Sequence, residues 1–140
     1  MSPKKRNATK SSQSSKVSRE VTDSEVVVVN GLARKMYAIA KDHGFHQETL
    51  LGRPISIERI GVYVANLHGE VSELWEAARK GRLNASCDKP ISLTCAEEEL
   101  ADIAIRLMDT AVGLCVNLGL AIKVKADYNQ SREHMHGKKA

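Results

Sequence analysis

Apolar residues recur at helical spacing in four stretches of this chain, each bounded by residues that start or stop helices. Val28, Leu32, Met36 and Ile39 form the first row, spaced three or four apart as one face of an α-helix requires. Asp23 or Ser24 is placed to cap it, and Gly44, after Lys41 and His43, to end it. The β-branched run Val26–Val29 would also suit a strand. The continuation of the row into Ala33, Ala38 and Ala40 favours the helix.

Residues 45–55 read as a loop closing at Pro54, after which Ser56 caps a second helix. Ile57, Ile60, Val64, Leu67, Val71 and Leu74 share one of its sides, and Arg79-Lys80-Gly81 marks its end. A loop with Asn84, Asp88 and Pro90 follows. Thr94 and Glu97 form a capping box that opens a third helix, expected from Cys95 to Leu118 with Gly119 as its stop. A fourth, from Leu120 to Asn129, leads into a basic tail, Arg132 to Lys139. Four helices with short connections predict an all-α fold, a four-helix antiparallel bundle. So few helices with so much apolar surface predict a homodimer or higher homo-oligomer.

Composition changes the picture mainly at the N-terminus. Six cations against the single Glu20 give residues 1–22 a charge of +5, so the net +4 of the chain leaves −1 for the rest. This Ser-, Lys- and Arg-rich leader has no apolar periodicity and reads as disordered, leaving residues 23–140 as the folded domain. It has no aromatic side chain to stack on a base, so a nucleic-acid partner is not expected. No apolar run approaches the length of a membrane span, and charges without an apolar stretch behind them make no secretory signal. Cys87, Cys95 and Cys115 are odd in number and lack zinc-like spacing, which fits reduced thiols and a cytoplasmic location.

The chemistry lies in four carboxylates. Glu70 and Glu73 stand three apart on the second helix, Glu99 and Asp102 three apart on the third. Three residues advance a helix by about 300° and roughly 4.5 Å, so each pair shares a face, nearly one turn apart. Like charges at that spacing repel. The apolar rows beside them, Leu67, Val71 and Leu74 and again Leu100, Ile103 and Leu107, set the acids at the edge of a core, where bare charge is costly. A hard divalent ion between the helices would relieve it, and magnesium suits such oxygen ligands, with manganese the alternative. Such a cage has room for one ion or for two. Glu98 and Asp109 could stand behind the ligands.

Glu70-x-x-Glu73 and Glu99-x-x-Asp102, on consecutive helices, resemble the signature of the MazG-like, all-α nucleoside triphosphate pyrophosphohydrolases. The stretch Lys125-x-x-x-Asn129-x-x-Arg132-x-x-x-His136-Gly137-Lys138-Lys139 is similar to the tail of one bacterial and phage branch of that family. The likeness covers roughly residues 24–139. It implies metal-dependent cleavage of a nucleoside triphosphate between the α- and β-phosphates, giving a monophosphate and pyrophosphate, as in cleaning of the nucleotide pool. It also implies phosphate contacts from Lys125, Asn129, Arg132 and Lys138. Asn66, four residues before Glu70, is on the side expected to meet sugar or base. Trp75, about 140° around the helix from Glu70, is expected to pack on another helix or subunit. The chain departs from the pattern at Gly69, where many members carry a second glutamate; Glu76 and Glu98 are placed to compensate. The competing possibility is a non-enzymatic helical binding or regulatory module that works through the basic leader.

Overall fold

A computed structural model of the protein describes residues 18–46 and 56–132. Within them the fold is all-α, with four helices and no named strand. Helix α1 spans Asp23–Asp42, α2 Ile57–Arg79, α3 Cys95–Gly113 and α4 Leu118–Gln130. No single helix among the described residues is long and apolar enough to cross a membrane.

The starts of the helices follow from local chemistry. Thr22, one residue before the expected cap, begins α1: its hydroxyl accepts from the Glu25 N–H, and its own N–H donates to the Glu25 carboxylate at 2.7 Å. That Thr-x-x-Glu box satisfies two orphan donors where Asp23 alone would satisfy one. Ser56 caps α2 and the Thr94/Glu97 box caps α3 as expected. Residues 18–22 are counted with the leader on composition, yet the Arg19 carbonyl accepts from Gln130 Nε2 at 2.8 Å. The remainder of the expected leader, residues 1–17, lies outside the described residues.

The third helix stops five residues earlier than expected. It ends at Gly113, Cys115 takes a left-handed φ of 57°, and α4 leaves at 109° to α3. Asn117 supplies the new start, its Oδ1 accepting from the Leu120 N–H at 3.0 Å. Gly119 is therefore not a stop. It sits in the first turn of α4, pressed on α1, where an added Cβ would stand 2.5 Å from the Val26 carbonyl oxygen. Asn30 on α1 completes the joint, accepting from the Gly119 N–H at 3.0 Å and donating to Asn117 at 2.7 Å.

Gly119→Ala is expected to destabilise the fold by about 2 kcal/mol, although alanine is the better helix former. The obstacle is backbone and cannot swing aside. A fall of roughly 10 °C in the thermal midpoint would register it; an unchanged midpoint would refute the close approach.

Helix α3 packs against both α1 and α2, while α4 packs on α1. Among the described residues the buried apolar set is small: Ala33, Tyr63, Cys87, Cys95 and Ala111. A polar cluster lies beside it. His46 Nε2 and Asp109 Oδ1 are 2.6 Å apart, and the Tyr63 hydroxyl is 3.3 Å from His46 Nδ1. The Tyr37 ring stacks on the imidazole at a centroid distance of 4.3 Å. Asp109 thus holds the end of the α1 segment rather than standing behind a metal ligand.

Candidate metal centre

The α2–α3 packing brings three of the four expected ligands together. Glu70 and Glu73 on α2 and Glu99 on α3 each offer a carboxylate oxygen, all within 4.8 Å of one another. They arrive there because α2 presents Glu70 and Glu73, nearly one turn apart, to the part of α3 that carries Glu99. Glu73 and Glu99 also line a cleft of about 270 Å³ with Glu76, Arg82, Asp88 and Glu98.

The charges of this acidic group are unevenly compensated. Glu70 accepts a hydrogen bond from Arg106 Nε at 2.9 Å, and the same guanidinium lies 5.7 Å from the centre of the Phe45 ring. Among the described residues Glu99 has no such partner: its Oε2 is buried and makes no hydrogen bond with them. Burial raises the Glu99 carboxyl above its ordinary pKa, and the nearby Glu73 and Glu98 charges push it the same way. An oxygen in that position favours a proton or a cation.

Asp102, the fourth expected ligand, is held by a different charge. Lys89 Nζ lies 3.4 Å from Asp102 Oδ2 and makes a closer ion pair with Glu98. The Glu98 side chain is only 8% exposed, and its hydrogen bond keeps the Lys89 ammonium above its ordinary pKa. Backbone hydrogen bonds strap the Lys89 turn to the start of α3, Cys87 N–H to Leu93 O at 3.0 Å and Cys95 N–H to Ala85 O at 2.8 Å.

The two acids expected to replace the missing glutamate are therefore both engaged. Glu98 is paired with Lys89, and Glu76 accepts from Arg79 at 2.6 Å and Lys80 at 2.7 Å. Those bonds, Lys80 first, hold the Glu76 carboxyl below the usual carboxylate range.

No protein-family model, curated protein or solved structure matches this chain.

The phosphate-binding candidates are elsewhere. Lys125 and Asn129 line a separate, open groove on α4 with Ala121, Ile122 and Ala126. Lys125 and Arg132 both stand over the Tyr128 ring, at 4.6 and 5.8 Å from its centre. Asn66 is exposed on α2, and Lys138 lies outside the described residues. Trp75 is 67% exposed and is not a core residue among the described residues.

Two cations that pair with these acids were not foreseen from the sequence. Arg106 had a readable signal, since it follows Asp102 by four and Glu99 by seven on one helical face. Lys89 had none, because only the fold of its loop carries it back over α3.

Proposed function

We propose that this protein is a magnesium-dependent nucleoside triphosphate pyrophosphohydrolase of MazG-like type. The observation that carries the proposal is the convergence of Glu70, Glu73 and Glu99 from two helices, with Glu99 Oε2 buried and unbonded among the described residues. Three carboxylates in close quarters are tolerable when a divalent cation offsets them, and an all-oxygen donor set suits magnesium or manganese. When bound, such an ion polarises phosphate oxygens and acidifies a water.

In this proposal Glu73 and Glu99 are the principal ligands, Glu70 a ligand shared with Arg106, and Asp102 a ligand once Lys89 lets it go. Arg106 orients Glu70 through their 2.9 Å hydrogen bond. Arg82 and Lys80 at the cleft wall are cations placed to meet an incoming phosphate. Lys125, Asn129, Arg132 and Lys138 are proposed to contact phosphate across a homo-oligomer, since the first two line a groove apart from the acids.

The oligomer itself, and a bundle completed by a second copy, is proposed from what one chain leaves uncovered. Val64, Val71 and Trp75 of α2 and Leu100 and Leu107 of α3 are all exposed, more apolar surface than a small monomer ordinarily shows.

The deciding experiment is a nucleotide panel, assayed with and without magnesium, with products identified. Release of pyrophosphate and the matching monophosphate, dependent on the metal, is expected. Glu73→Ala and Asp102→Ala should each lower turnover by at least about a hundred-fold with the helical circular dichroism intact. No hydrolysis of any nucleotide with magnesium or manganese, or full activity in Glu73→Ala, would overturn the assignment.

A further inference from the structure

Two of the acids on α3 already hold a cation supplied by the protein itself. Lys89 pairs with Glu98, a carboxylate that burial leaves in need of a positive partner, and the same ammonium reaches Asp102 at 3.4 Å. Its backbone is tied down, with the Ile91 N–H donating to the Lys89 carbonyl at 2.8 Å inside the strapped turn. Its side chain is not, being 54% exposed. A long flexible stem on a fixed base lets the charged end shift by a bond rotation or two without disturbing the fold.

We propose that Lys89 is a built-in competitor for the divalent cation, holding Asp102 in the metal-free protein and releasing it when the cage is loaded. The proposal rests on the metal-centre reading above and concerns the loading of that same site. Glu98 serves as the anchor: the ammonium keeps this bond while its contact to Asp102 comes and goes. Loading then costs the ion one displaced contact and the repulsion of a nearby positive charge. An anionic phosphate entering with the ion offsets that repulsion, so the cage is built to fill together with substrate rather than before it.

The test is equilibrium binding of Mn²⁺ to the full chain without nucleotide, read by titration calorimetry and by the electron paramagnetic resonance of the free ion. Lys89→Met is expected to tighten Mn²⁺ binding by about ten-fold, and Lys89→Arg, which keeps the charge, to stay within roughly two-fold of the parent. Lys89→Met leaves Glu98 buried without its partner, so the double variant Lys89→Met/Glu98→Gln provides a second arm. It removes the pair as a unit with net charge unchanged, and freeing Asp102 should still tighten binding by about three-fold.

Equal or weaker binding in the folded double variant would overturn the role of Lys89. If the parent binds Mn²⁺ and loses it on Glu73→Gln while both Lys89 arms are unchanged, only the competitor falls. If neither the parent nor any variant binds Mn²⁺, the metal centre falls and the competitor with it.

Discussion

Glu99→Gln is expected to reduce turnover by at least about a thousand-fold while leaving the metal-free protein as stable as the parent, or more so. Both halves follow from one oxygen. Glu99 Oε2 is buried and unbonded, and the carboxyl is raised above its ordinary pKa by burial first and by Glu73 and Glu98 next. A raised carboxyl means that the folded protein binds a proton more tightly than the unfolded chain does. Stability then falls as pH rises from the ordinary glutamate value through the raised one, and the penalty persists at neutral pH. Glutamine removes the charge and with it the penalty. It also removes an anionic ligand, and activity goes the other way. Thermal midpoints of parent and variant, followed across that acidic window without divalent ions, would check the stability half. A parent that gained stability with pH at this site, or a variant less stable than the parent at neutral pH, would contradict it.

The largest loss of stability is expected from Asp109→Ala, at about 3 kcal/mol. Asp109 is buried, and its partner His46 is buried with it. Cutting the side chain back leaves the imidazole without its 2.6 Å acceptor, while the stacked Tyr37 and the Tyr63 hydroxyl offer no replacement at that nitrogen. A buried polar group stripped of its partner loses more than the bond contributed. Asp109→Asn keeps an acceptor and should lose roughly a third as much. Urea unfolding of both variants measures the difference. An Asp109→Ala protein with the parent's midpoint would show that the cluster contributes nothing.

Much of the fold was legible because helix starts are local. Thr-x-x-Glu at Thr94 and the Ser56 cap act over three residues, and both stand where the sequence put them. The break after Gly113 was not legible. Val112, Leu114, Val116 and Leu118 keep the stretch apolar across it; the break is marked only by the left-handed turn at Cys115 and the new cap at Asn117. The same holds for the site. Glu70, Glu73 and Glu99 could be brought together on paper because each pair sits on one helix face. The His46–Asp109 bond joins residues 63 positions apart, and Lys89 reaches Asp102 only through the turn of its loop. Spacing within a helix carries no information about either.

Helix α3 is shared by the acidic group and the His46–Asp109 cluster. Glu99 and Asp102 lie near its start, Arg106 in its middle, and Asp109 and Gly113 toward its end. Ten residues of helix separate Glu99 from Asp109, a rod of about 15 Å. A single residue inserted along it would rotate one end against the other by about 100°, so Glu99 and Asp109 could no longer both meet their present neighbours. Evolution can retune either end by substitution, but it cannot change the length between them.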